Sequence, residues 1–119
     1  MILTIDIGGT NIKYGLCDKS GNIQQKGEYP TLDTVDKIVQ SICDLPFEYT
    51  GIAISMPGIV NEDHSKAVIT GKLAFLSNYP LKKRLEEIKD CKVTIENDGT
   101  VKYADTTKKW YNYCDKIWA

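Results

Sequence analysis

Two adjacent glycines, Gly8 and Gly9, separate an apolar run at Ile2 to Ile7 from a second at Ile12 to Asp18, so these runs can connect only through a tight turn. A third short segment, Asn22 to Tyr29, follows an Asp-Lys-Ser-Gly turn, and the three together predict an antiparallel meander. Leu32, Val35, Ile38, Val39 and Ile42 then recur at helical spacing, which predicts a helix within Thr31 to Asp44, with Asp33 or Thr34 as N-cap and Pro46 as the stop. Gly51 to Ser55 is almost wholly apolar and reads as a central parallel strand covered on both faces. The pattern weakens from Ile59 to Phe75, where an excursion with a short strand pair is expected. Leu81, Leu85 and Ile88 mark a small amphipathic helix within Pro80 to Asp90, and Cys91 to Glu96 is the next strand.

At 119 residues the chain holds one core and one domain. No apolar run is long enough to span a bilayer, and 15 basic against 16 acidic side chains supply no field for a phosphodiester backbone, so neither membrane nor nucleic acid is expected as a partner. Met1 to Asp6 lacks the basic flank and cleavage site of a secretory leader, which points to a cytoplasmic protein. Cys17, Cys43, Cys91 and Cys114 are far apart without a C-x-x-C pair, so buried free thiols are expected and a zinc site is not. His64, in a charged loop, reads as solvated and without a role.

Chemistry concentrates in two places. The first is Asp6-Ile7-Gly8-Gly9-Thr10-Asn11 with Lys13 close behind. Glycines let backbone N–H groups approach anionic oxygens, and Asp6 could hold a hydrated Mg²⁺, although two glycines can also be a turn and nothing more. Because a strand follows and the G-x-x-x-x-G-K-[ST] spacing is absent, this is not a Walker loop. The second is Glu96-Asn97-Asp98 at the carboxyl end of the last strand, where Asn97 could be only a helix cap and Asp98-Gly99 only a turn. A phosphate-and-metal turn facing a carboxylate base across one sheet edge is the layout of a phosphotransferase.

The segments DIGGTNIKYGL, GIAISMPGIVN and VTIENDG, in that order, resemble the ROK family of sugar kinases and sugar-responsive repressors. The resemblance runs from Ile2 to about Thr100, the family's N-terminal half. It implies a ribonuclease H-like, actin-like ATPase lobe, an α/β fold with a five-stranded mixed sheet and helices on both faces. Carried over by position, Asp6, Gly8, Gly9, Thr10, Asn11 and Lys13 fall on the ATP phosphate motif, with Mg²⁺ held by Asp6 through water. Asn97 falls on the sugar-contacting asparagine and Asp98 on the catalytic base; Gly58 and Gly71 match loops that border the sugar. Asn78 is a further sugar-side candidate, or a cap for the helix after it.

The sequence departs from the family after Asp98, where Gly99-Thr100-Val101-Lys102-Tyr103 stands in place of small residues, and it ends at Ala119 before the family's second phosphate motif, adenosine pocket and His-Cys zinc site. A truncated kinase lobe, weak or inactive alone, is one expectation; a non-catalytic sugar-binding or regulatory module is the other. Tyr103, Trp110, Tyr111, Tyr113 and Trp118 form an aromatic tail that either folds back on the sheet or serves as an association surface for a second lobe or a second copy.

Overall fold

The computed structural model describes residues 1–18, 20 and 22–97. The three opening segments form strands β1 (Ile2–Ile7), β2 (Asn11–Cys17) and β3 (Ile23–Pro30), each displaced by no more than a residue from its predicted bounds. Helix α1 (Val35–Cys43) starts at Thr34, not Asp33: the Thr34 hydroxyl accepts the Lys37 amide at 3.2 Å. Strand β4 (Gly51–Met56) leads into the expected short pair, β5 (Ile59–Val60) and β6 (Ala67–Val68), then a 3-10 helix at Gly71–Leu76. Helix α2 (Leu81–Lys89) ends at Asp90, whose left-handed φ of 50° stops the spiral and turns the chain into β7 (Lys92–Asn97).

The main sheet has the order β3-β2-β1-β4-β7, with β1 antiparallel to β2, β2 antiparallel to β3, and β1, β4 and β7 mutually parallel. This is the five-stranded mixed sheet expected, with β1 in the middle. Leu3, Ile5 and Ile7 of β1, Ile52, Ile54 and Met56 of β4, and Val93 and Ile95 of β7 occupy alternate positions, and all pack in one cluster with apolar side chains of α1 and α2. Both described helices therefore lie on the same face of the sheet. The helix expected after Asn97 lies outside the described residues.

The alternate positions carry the polar chemistry. Lys13, Asp6, Ser55 and Glu96 are successive register partners across β2, β1, β4 and β7, so a single row of polar side chains crosses four strands near the carboxyl ends of the parallel ones. Ser55 and Glu96 in this row are buried. No described helix is long and apolar enough to cross a membrane.

Candidate functional site

The turn after β1 is built almost wholly from backbone. The Gly8 amide donates to the Asn11 carbonyl at 3.0 Å, which makes Gly9 and Thr10 the exposed tip. The end of β3 clamps that tip from the side. The Thr31 hydroxyl donates to the Gly8 carbonyl at 2.6 Å, and the Thr31 amide to the Thr10 carbonyl at 2.9 Å. Among the described residues the Gly9 and Thr10 amides have no protein acceptor, so two N–H groups at the tip are available to anionic oxygens. Asp6 is half-buried behind them, beside Lys13 in the register, and its carboxylate makes no hydrogen bond or ion pair among the described residues. A carboxylate left to water, next to open amides, fits an outer-sphere contact to a hydrated Mg²⁺ carried by a nucleotide. Among the described residues no group of three or more His, Cys, Asp or Glu side chains could hold a metal by itself.

The second cluster stands two strands away, about 10 Å by ordinary strand spacing. Here the contacts are long-range. Asn97, at the end of β7, donates from Nδ2 to the carbonyl of Gly58, which follows β4. Gly58 has a φ of 104°, and a Cβ there would collide with the Val68 carbonyl and press on Ile69, so only glycine fits where the chain leaves β4 and passes beside the end of β6. The structure thus brings Gly58 and Asn97, placed on one sugar border by resemblance alone, into direct contact. Gly71 opens the 3-10 helix, and its neighbour Lys72 lays its Cδ methylene 3.5 Å from where a Cβ of Gly9 would stand, so this loop borders the Gly8–Gly9 turn. Asn78 is exposed with a φ of 59° and donates its amide to the Ala67 carbonyl. It does not cap α2, whose N-cap is Pro80 without a side-chain bond. Asp98 and the aromatic tail lie outside the described residues.

His64 corrects the sequence reading. It is not a solvated bystander: its Nδ1 lies 3.1 Å from the Ile95 carbonyl oxygen and 3.3 Å from Oε2 of Glu96. Thr31 and Lys72 were likewise missed, because their roles come from the meeting of segments far apart in the chain. One local signal did exist for the His64 loop. Asn61 Oδ1 accepts the amides of Ser65 and Lys66, while hydrogen bonds from Ser65, its hydroxyl above all, hold the Asp63 carboxyl below the usual carboxylate range. An Asn-x-Asp-x-Ser run that consumes its own side chains makes a fixed turn, and a fixed turn can aim the residue it carries.

Comparison with known proteins decides the lineage. A model described as the ROK family matches residues 2–113. The chain belongs to the ROK family. It is 30% identical over 105 residues to a glucokinase of Streptomyces coelicolor, covering 83% of this chain and 33% of that one. An N-acetylmannosamine kinase of Vibrio vulnificus is 29% identical over 118 residues, covering 94% of this chain and 38% of its own. The crystal structure of a ROK family glucokinase from Streptomyces griseus in complex with glucose and AMPPNP superposes with a TM-score of 0.70 at 28% identity, covering 81% of this chain and 33% of the other. The chain therefore spans about a third of the length of these ROK relatives.

Proposed function

We propose that this chain is the N-terminal lobe of an ATP-dependent sugar kinase, one that transfers phosphoryl groups to a hexose or related sugar. The supporting observation is that the open-amide turn and the Asn97–Gly58 contact stand at the same carboxyl edge of one sheet, in a chain of the ROK family. When bound, MgATP supplies the phosphoryl group and neutralises its charge. The chain's own residues do the rest. Gly8, Gly9, Thr10, Asn11 and Lys13 hold phosphate oxygens, and Asp6 holds the hydrated metal. Asn97 and the Gly58, Gly71 and Asn78 loops orient the sugar. Asp98 takes the proton of a primary sugar hydroxyl as that oxygen bonds to the γ-phosphorus and the bond to the β-phosphate oxygen breaks. A positioned base of this kind contributes about 10²- to 10⁴-fold.

ROK relatives are three times as long, and lobe closure excludes water from this kind of chemistry, so the 119-residue chain alone turns over feebly at best. Free thiols at Cys17, Cys43 and Cys91 suit a reducing compartment, and the proposal includes a cytoplasmic location. The test fuses this chain to the C-terminal two thirds of a ROK glucokinase and measures hexose phosphorylation. Restored transfer that disappears in Asp98→Asn supports the reading. Transfer that survives Asp98→Asn would remove Asp98 as the base, and a folded fusion that binds neither hexose nor MgATP would sink the kinase reading.

A further inference from the structure

Among the described residues β7 lies at the edge of the sheet, and its outward hydrogen-bonding groups find partners in a loop. At Ile95 a single residue supplies both. The Ile95 amide donates to the His64 carbonyl at 3.1 Å, and the Ile95 carbonyl lies 3.1 Å from His64 Nδ1. The Ile95 carbonyl accepts only, so a hydrogen on Nδ1 would be shared between that oxygen and the neighbouring Glu96 carboxyl. The Glu96 side chain is only 7% exposed, so a hydrogen-bond partner at this position helps satisfy a polar group kept out of water. Thr94 Oγ1 adds a second donor at 3.4 Å.

The platform under His64 is stiff. Its amide donates to the Asn61 carbonyl, Asn61 and Lys66 close the β5–β6 turn, and the Lys82 amide in the first turn of α2 donates to the Ser65 carbonyl at 3.2 Å. His64 itself has a φ of 56°, a conformation glycine or asparagine would adopt at less cost. The imidazole ring is thus held at a backbone conformation that costs a histidine more than it would glycine or asparagine.

We infer that His64 is a positioning residue: it fixes the outer edge of β7 at Ile95 and Glu96, and so sets the grip of Asn97, two residues on, upon the Gly58 carbonyl. The sugar-side consequence rests on the reading of Asn97 as a sugar contact; the structural consequence does not. The device joins the tip of the β5–β6 turn to the end of the strand that carries the acceptor side of the site.

The experiment uses the full 119-residue chain labelled with ¹⁵N, and two variants that accept a left-handed backbone. His64→Gly removes the ring; His64→Asn keeps a side-chain donor able to reach the Ile95 carbonyl. In the unmodified chain the imidazole ¹⁵N shifts should report a protonated Nδ1. His64→Gly should speed amide exchange at Ile95 by about tenfold and move the Asn97 carboxamide resonances, and His64→Asn should recover most of both. Titration with glucose should weaken in His64→Gly and recover in His64→Asn, while MgATP binding at the Gly8–Gly9 turn stays as in the unmodified chain. Unchanged Ile95 exchange and Asn97 resonances in His64→Gly, or equal losses in both variants, would overturn the assignment. A folded fusion to the C-terminal two thirds of a ROK glucokinase that binds no hexose would overturn the kinase-lobe reading instead, and the Ile95 and Asn97 signals of the 119-residue chain would still decide the role of His64.

Discussion

The two halves of the candidate site are made by opposite means. The candidate phosphate turn uses six successive residues, Gly8 to Lys13, and its shape comes from a backbone bond within the turn and a clamp from Thr31. The candidate acceptor side is assembled from Gly58 and His64 on one side and, more than 30 residues on, Ile95 and Asn97 on the other, which meet only because β4, the β5–β6 turn and β7 are folded together. A turn of the first kind survives substitution of the groups around it. An assembly of the second kind is tied into the core, so its binding residues are also structural residues. The difference predicts that stability and ligand affinity separate at the turn and fall together on the acceptor side.

The largest effect should come from Gly58→Ala. A methyl group there collides with the Val68 carbonyl in a backbone conformation that already excludes most residues, and the expected loss is about 3 kcal/mol or more in urea unfolding. Equal stability in Gly58→Ala would break the contrast outright. Asn97→Ala removes the donor to the Gly58 carbonyl and should cost about 1–2 kcal/mol together with hexose affinity, a coupled loss seen by comparing urea midpoints with a glucose titration.

The far end of the sheet supplies a reference that belongs to neither half. There the Tyr49 hydroxyl is buried without a hydrogen-bond partner among the described residues, with Lys89 Nζ 5.6 Å from the ring centroid. Burial, with smaller contributions from Cys91 and Cys43, pushes its pKa up to about 12. The folded state therefore favours the neutral phenol. That contribution is fully present below the unfolded value of about 10 and is lost as pH rises from there toward about 12. Tyr49→Phe should raise stability by about 1 kcal/mol at neutral pH, because an unpaired hydroxyl is removed, and should flatten the decline in melting temperature between these pH values. The smallest effects belong to the turn. Gly9→Ala brings a methyl only into ordinary contact with Lys72, and Asp6→Asn removes a charge that no described residue pairs. Both should change stability by less than about 0.5 kcal/mol, while a calorimetric titration of Asp6→Asn with MgATP shows clear weakening.

The same division explains what could be read from the chain. Strands β1 to β4 and both helices follow from periodicity and punctuation, which are properties of short windows. The turn between β1 and β2 was legible because Gly8-Gly9 between two apolar runs is a contiguous signal. Gly58 and Asn97 could be named by resemblance, yet their direct bond spans 39 residues, and no local pattern carries it. His64 was misread for a related reason. A run of charged and polar residues implies solvent when their partners are unknown, but here Asn61, Asp63 and Ser65 spend their side chains on one another, and the ring between them is turned inward to β7.

The central place of β1 also has a consequence in time. The ribosome delivers β1 first, yet the sheet it anchors stays incomplete until β7, because β4 can pair on its second side only with that last strand. Every residue of β4 is buried in the finished fold, so its open edge is an apolar template for any passing strand. At ~5–20 residues per second the stretch from Pro57 to Cys91 takes roughly 2 to 7 s to synthesise, a long exposure beside the microseconds of hairpin formation. The β5–β6 turn and α2 emerge within that interval, and Leu81 and Leu85 of α2 join the same apolar cluster as β4. The arrival of Lys92–Asn97 then covers the open edge of β4, and the same step brings Asn97 to the Gly58 carbonyl.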